Sequence, residues 1–216
     1  MAQIVRNDVA AVADSADELL KLSNEHGLAQ PRAAALAYLG WALGQAKDVD
    51  QGVSLLEQGL AAWERLGIRT NLDFYICLLA ETYFEGRRYE EAMEKADLAI
   101  ATSSEIGDRW CLPRIHLVRG QLLQQTSGDP DSTEQSLHLA VEVARSQCAK
   151  AAELRAAMSL ARLWRDQGKP QQARELLAPV YGWFTEGFDT RDLKEAKALL
   201  DELACCDQSL GGARPR

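Results

Sequence analysis

The chain has 216 residues, of which 47% are hydrophobic, and its formal net charge is −8. This length allows one or two domains, and the apolar fraction is typical of a globular protein. The negative charge argues against general nucleic-acid binding, which needs clustered positive charge. Asp8 and Asp14 interrupt the mildly apolar start, so we expect no signal peptide, and no apolar run is long enough to predict a membrane span.

The cysteines are odd in number and scattered along the chain. They are Cys77, Cys111, Cys148, Cys205 and Cys206. This usage suits a reducing compartment, in which most of them would serve as small apolar side chains. We therefore expect a cytoplasmic protein.

Helical periodicity starts near the N-terminus and continues through the chain, and no convincing strand pattern interrupts it. The first predicted helix spans residues 9–26 and stops at Gly27. It has no partner helix before it. Four predicted helical hairpins follow, at about 31–67, 71–107, 109–148 and 150–186.

The last part of the pattern predicts how the chain closes. Pro179 should kink or end the second helix of the fourth hairpin. An amphipathic capping helix is predicted over 190–204, and residues 207–216 are predicted to be a disordered tail. Residues 1–206 would then form a single repeat domain.

Small residues recur at one place in the first helix of each hairpin. They are Gly40, Ala80, Gly120 and Ala161, and a bulky residue follows each of them three positions later. A small residue opposite a bulky one is what two closely crossing helices need. A period of about 40 residues predicts an all-α solenoid of about four hairpins with a C-terminal capping helix. The alternative is an irregular helical bundle whose spacing repeats by chance.

The run from Glu153 to Leu203, and above all ELLAPVYGWFTEGFDTRDLKEAKALLDEL, resembles the C-terminal end of large bacterial regulatory proteins. These are identified as predicted ATPases or adenylate/guanylate cyclases with tetratricopeptide-like repeats. GWALGQ, LEQGLAAW, LLAETY and RGQLLQQ are similar to the repeat region of that family. The resemblance implies a right-handed superhelix of tetratricopeptide-like (TPR-like) hairpins, with an upstream ATPase or cyclase domain, or another protein, as its partner.

The same resemblance implies no catalytic residue, because the catalysis of that family lies outside the region this chain resembles. The phosphate-loop pattern G-x-x-x-x-G-K-[ST] is missing from the sequence. His26, His116 and His138 are far apart in the sequence, so we do not expect them to form a metal site together. We therefore expect a protein that is not an enzyme and that has no metal and no cofactor.

In a TPR-like register the first helix of each hairpin lines the concave face. The candidate partner-binding residues on that face are Trp41, Phe74, Glu81, Arg114, Gln121, Arg155, Arg162 and Arg165. Exposed aromatic side chains in this groove would anchor a peptide or a ligand. The alternative is that Trp41 and Phe74 are simply core residues.

Basic residues outnumber acidic ones by seven to two between Arg145 and Arg174. One explanation is a solvated helix surface, and the other is a basic lining that receives an acidic partner segment or a phosphate.

Two functions remain open at this point. The first is a non-catalytic protein–protein interaction scaffold, the repeat module of a bacterial signalling or regulatory system. The second is a small-ligand effector-sensing domain of a regulatory ATPase or cyclase. Because the helix over 9–26 lacks a preceding partner, we also expect an adhesive N-terminal end that docks another domain or forms a homodimer.

Overall fold

The computed structural model describes residues 8–126 and 129–210, with side chains described up to residue 205. Within these ranges the chain forms ten α-helices and no strand. They are α1 Val9–His26, α2 Ala29–Gln45, α3 Val49–Arg65, α4 Leu72–Glu85, α5 Tyr89–Ile106, α6 Leu112–Thr126, α7 Pro130–Ser146, α8 Lys150–Asp166, α9 Pro170–Gly182 and α10 Arg191–Leu210.

The helices stack as a two-layer solenoid. Each helix packs on the next along the chain, which pairs α2 with α3, α4 with α5, α6 with α7 and α8 with α9. In addition, α2 packs on α4, α4 on α6, α6 on α8 and α8 on α10. The even-numbered helices therefore form a continuous inner layer, and the odd-numbered helices lie outside it. This arrangement confirms the predicted all-α solenoid.

The small residues of the repeat lie where helices cross. Gly40 of α2 faces Gly52 of α3 so closely that a Cβ on Gly40 would lie 2.6 Å from the Gly52 carbonyl oxygen and 2.9 Å from the Leu56 amide nitrogen. A Cβ on Gly120 would lie 2.6 Å from a methyl of Leu137. Gly40 thus lets the backbones of α2 and α3 approach more closely than a larger residue would permit, and Gly120 makes room for the Leu137 side chain.

The apolar core consists of two clusters, one spanning α1 to α6 and the other α7 to α10. At the boundary between α6 and α7, Leu137 of the second cluster packs against Gly120. Arg119 reinforces this boundary by donating a hydrogen bond from Nη1 to Ser136 Oγ at 2.9 Å. A stack of this kind buries each apolar face against its neighbours, so the hairpins depend on one another for stability.

The two ends of the stack are closed differently. Asp8 accepts a hydrogen bond from the Ala11 amide at the start of α1, and Gly27, at φ +66°, ends that helix as predicted. At the other end, α10 continues to Leu210, beyond the predicted limit at residue 204. The helix lengthens because no helix-breaking residue precedes Gly211. Residues 207–210 are therefore helical, and the rest of the predicted tail, 211–216, lies outside the described residues.

The second helix of the fourth hairpin is the shortest of the outer layer. It runs through Pro179 and ends three residues later, at Gly182. The predicted interruption is thus an early end of the helix, which leaves a long connection to α10. Among the helices of the described ranges, none is long and apolar enough to cross a membrane.

We predict that Gly40→Ala destabilises the protein by about 1–3 kcal/mol, because the new methyl meets backbone atoms of α3 that cannot rotate away. The free energy of unfolding from denaturant titrations followed by circular dichroism measures this effect. Gly182→Ala is the matched control, since a Cβ there has no neighbour within 4 Å. Equal stability of the two variants would contradict the close approach of α2 and α3.

Candidate functional site

The inner layer lines a cavity of about 540 Å³ that is partly open to solvent. Its walls come from α2, α4, α6 and α8, from the connections before α6 and α8, and from the first turn of α10. Seven of the eight predicted partner-binding residues lie in these walls: Trp41, Phe74, Glu81, Arg114, Gln121, Arg155 and Arg162. Arg165 lies outside the cavity, where it pairs with Asp166 and Glu202. We call this cavity the groove. That its residues bind a partner stays a prediction.

A carboxylate at the floor of the groove joins three hairpins. Glu81 of α4 accepts a hydrogen bond from Trp41 Nε1 of α2, with 2.7 Å between Nε1 and Oε2. It also accepts two from Arg114 of α6, with Nε 2.5 Å from Oε1 and Nη2 2.7 Å from Oε2. The Arg114 guanidinium carbon lies 5.6 Å from the Trp41 ring centroid and 5.9 Å from that of Phe74. We call these four residues the Glu81 cluster.

The two aromatic residues of this cluster belong to the core. Trp41 is 1% exposed and Phe74 is fully buried. Of the two explanations that the sequence left open, the core explanation is therefore correct, and neither ring offers an exposed surface to a partner. The reason is the stacking of the hairpins: Glu81 of α4 and Arg114 of α6 contact Trp41. Tyr38 of α2 and Trp110 pack against Phe74.

Other side chains supply the accessible apolar wall of the groove. They include Phe84, Leu117 and Trp110, whose side chain is 37% exposed. Trp110 also packs on Phe74, with 4.9 Å between the ring centroids. Sequence reasoning missed Trp110 because this residue lies in the connection before α6. Its Nε1 donates a hydrogen bond to Asn71, about one repeat period earlier in the chain. That spacing was the one signal in the sequence that could have indicated Trp110.

The arginines of α8 already have acidic partners within the chain. Arg155 Nη2 lies 2.7 Å from Asp192 Oδ2, and Arg162 Nη2 lies 3.2 Å from Glu195 Oε2. Arg165 Nη1 lies 2.7 Å from Glu202 Oε2. All three carboxylates belong to α10. The basic lining does receive an acidic segment, but that segment is the capping helix of the same chain. The spacing of 37 residues from Arg155 to Asp192, and from Arg165 to Glu202, was the signal in the sequence.

The charged side chains of the groove wall are paired within the chain, whereas two glutamine side chains are not. Every charged side chain in its wall has an oppositely charged partner in the chain, including Glu85, which pairs with Lys47, and Lys150, which pairs with Glu153. By contrast, no hydrogen bond to a described residue occupies the side-chain amides of Gln45 and Gln121. The groove therefore presents free amide groups between charges that are already satisfied.

A buried carboxyl group lies beside the groove. Asp73 is fully buried, and its Oδ2 lies 2.8 Å from Cys111 Sγ, while Oδ1 has no hydrogen-bond partner among the described residues. Burial raises the pKa of Asp73, although the hydrogen bond from Cys111 opposes the rise. Burial likewise raises the pKa of the Cys77 and Cys111 thiols, so neither is a thiolate nucleophile at neutral pH.

The histidines do not form a site with these groups. His26 is exposed at the end of α1, and His138 packs edge-on against Trp164. Burial lowers the pKa of His116 on α6, which keeps this imidazole neutral. In residues 8–126 and 129–205, no three His, Cys, Asp or Glu side chains are grouped so as to hold a metal ion.

Comparison with known proteins identifies the fold. No family model matches the chain. Over 158 residues, 73% of this chain, it is 26% identical to an uncharacterized protein of Rhizobium meliloti, and the match spans only 15% of that protein. The chain is thus similar to a small part of a much longer polypeptide.

Solved structures give the wider likeness. BtubC (BKLC) from P. vanneervenii is 17% identical, with 98% of this chain and 94% of that chain covered and a TM-score of 0.68. The apo form of RapI is 14% identical, with 93% and 66% covered and a TM-score of 0.64. A Podosopora anserina protein assigned as a kinesin light chain, with nearly identical TPR-like repeats, is 18% identical, with 84% and 98% covered and a TM-score of 0.58. The chain therefore has the fold of a TPR-like helical-repeat solenoid.

We predict that Glu81→Ala lowers the free energy of unfolding by about 3 kcal/mol, because it leaves a largely buried guanidinium and an indole N–H without their acceptor. Denaturant titration measures the loss. Glu105→Ala is the control, since it removes an exposed ion pair with Arg69 and should cost at most about 1 kcal/mol. Similar losses in the two variants would show that the Glu81 cluster is not a structural centre.

We predict that Asp73 makes stability fall as pH rises. The pKa of this carboxyl is raised in the folded state above its ordinary value of 3.8, so the protonated form favours folding. Its contribution is complete below the unfolded-state pKa and is lost as pH rises through the folded-state pKa. Asp73→Asn, which stays neutral, should gain stability relative to the native chain between acidic and neutral pH. Parallel curves of unfolding free energy against pH would contradict this expectation.

Proposed function

We propose that the protein is a non-catalytic interaction scaffold whose groove binds a segment of another protein. The observation that carries the proposal is the groove itself, in which free amide side chains lie between charges that are paired within the chain. The TPR-like fold is consistent with this role, since concave faces of helical repeats form extended binding surfaces.

The chemistry of the groove favours an uncharged, extended segment. A glutamine side chain carries both hydrogen-bond donors and an acceptor, as does each peptide group of a backbone. Gln45 lies on α2 and Gln121 on α6, so together they span three hairpins. A charged partner would instead have to compete with the Glu81–Arg114 and Arg155–Asp192 pairs, and separating buried pairs is costly.

The wider setting of this scaffold is also a proposal. We place it as the repeat module of a bacterial signalling or regulatory system in the cytoplasm, with an ATPase or cyclase domain as one partner. The resemblance of the chain to repeat regions of such regulators supports this setting. The much greater length of the Rhizobium meliloti relative supports a repeat region that works beside other domains.

The exposed side of α1 would be the place for such a domain or for a second copy of the chain. Most of the exposed side chains of α1 are polar or charged. Among its large apolar residues, only Leu22 is classed as exposed, at 45%. Such a polar face favours docking of a charged domain over an apolar homodimer. The sedimentation behaviour of the full chain at high concentration distinguishes the two.

One observation favours a small-ligand sensor as a second candidate. The groove volume of about 540 Å³ falls within the range of roughly 300–1,000 Å³ that is usual for small-molecule sites. A sensor would bind a compound that fills this volume and stabilises the chain against heat.

We predict that the full chain selects linear peptides from a random phage-displayed dodecamer library, and that Gln45→Ala or Gln121→Ala weakens each selected peptide about tenfold. The reason is the loss of hydrogen bonds between one side-chain amide and the peptide backbone. Fluorescence anisotropy with the synthetic peptide measures the affinity. Gln51→Ala, which removes an exposed amide from α3, is the matched control and should change nothing.

The outcomes separate the two candidate functions. Peptides that bind the native chain and both groove variants equally would place the interaction elsewhere and contradict the groove as its site. A library that yields no peptide, together with thermal stabilisation by a small compound, would favour the sensor.

A further inference from the structure

A second cavity, of about 820 Å³, lies beside the groove at the C-terminal end of the stack. The first turns of α8 and the start of α10 form two of its walls, and the connection between α9 and α10 forms the third. Its lining is mostly apolar and includes Leu154, Leu193, Trp183 and Phe184. We call it the terminal cavity.

The connection that borders this cavity is unusual for the chain. It runs over residues 183–190 and is longer than each of the other connections between successive stacked units, which are 27–28, 66–71, 107–111 and 147–149. It is long because α9 has only 13 residues, while the outer helices α3 and α7 have 17. The chain therefore replaces one turn of helix with a loop that the stacking of hairpins does not require.

That loop exposes large aromatic side chains. Trp183 is 58% exposed and Phe188 is 46% exposed, which makes Trp183 the most exposed large apolar residue of the described part of the chain. The Trp183 ring stands perpendicular to that of Phe184, with 5.2 Å between the centroids. Exposed tryptophan beside an apolar cavity costs solubility without adding to the core, and tryptophan is enriched among the residues that dominate binding energy at interfaces.

The terminal cavity and the groove are adjacent and share part of their walls. Ala151, Arg155 and Asp192 line both of them, and the Arg155–Asp192 ion pair stands between the two spaces. Glu186, in the loop wall of the terminal cavity, is exposed and forms no ion pair with a described residue. The Arg155–Asp192 pair, by contrast, is satisfied within the chain and offers no uncompensated charge to a partner. Lys150 is occupied in the same way, since it pairs with Glu153 and its Nζ lies 5.8 Å from the Trp183 centroid.

We infer that the terminal cavity is an anchor site for one bulky apolar side chain, such as Leu, Met, Phe or Trp, of a partner protein. The residues that flank this side chain towards the groove are uncharged, and their backbone passes the Arg155–Asp192 pair into the groove. The inference rests on the proposed function for the backbone contacts, but the cavity is a separate subsite with its own lining. It adds to the proposed scaffold the chemistry of its partner: a neutral segment with a single large apolar anchor.

The test uses the peptides that the full chain selects from the dodecamer library. They should share one bulky apolar position, and Trp183→Ala should weaken them about thirtyfold, the effect of removing a dominant contact residue. Leu98→Ala removes a similarly exposed apolar side chain from the outer helix α5 and is the matched control. Trp183 is mostly exposed, so its replacement should leave the melting temperature unchanged.

Indole tests the cavity independently of the groove. Its NMR titration should give saturable shifts at Leu154 and Leu193, and Thr185→Trp, which introduces bulk at a residue lining only the terminal cavity, should weaken binding at least about tenfold. Gln121→Ala should leave indole binding intact.

Three results would overturn the inference. The first is peptide binding that depends on Gln45 and Gln121 but not on Trp183; this would leave the scaffold function standing without the anchor. The second is indole binding that Thr185→Trp does not affect. The third is saturable indole binding with no peptide selected; it would make the occupant a small apolar molecule and would contradict the scaffold function as well.

Discussion

The inner layer depends on the hydrogen bonds that the Glu81 carboxylate accepts from Trp41 and Arg114. The carboxylate satisfies an indole N–H from α2 and the guanidinium of α6, while its own helix α4 lies between them. A solenoid has few contacts between distant repeats, so a bond that spans three consecutive hairpins fixes their relative rotation. Because the pair is largely buried, its geometry is specific: a displaced hairpin would leave a charge and a donor without partners.

The same principle shapes the C-terminal end. Three ion pairs join α10 to α8, while Leu193, Ala196, Leu199 and Leu203 pack α10 into the second core cluster. The basic residues of α8 therefore complete the fold. Because these arginines are paired with carboxylates of α10, the groove is poorly suited to a phosphate or an acidic peptide.

What remains available in the groove is neutral and apolar. The free amides of Gln45 and Gln121, the partly exposed ring of Trp110 and the adjoining terminal cavity form one surface along the inner layer. The charged residues of the groove wall are paired within the chain. The proposed binding surface thus uses other residue types than the Glu81 cluster, although both lie on the same helices.

The sequence by itself determined the helical hairpins, because the 40-residue period of small residues reports directly on helix crossings such as Gly40 with Gly52. It also predicted seven residues of the groove wall, since an inner helix presents the same positions in every repeat. Only the tertiary structure decided how they are used. Burial of Trp41 and Phe74, and the pairing of Arg155 and Arg162 with α10, depend on contacts between residues more than 30 positions apart. Periodicity shows which side of a helix faces inward, but not which neighbour will satisfy its charge, because that depends on the rotation of one hairpin against the next.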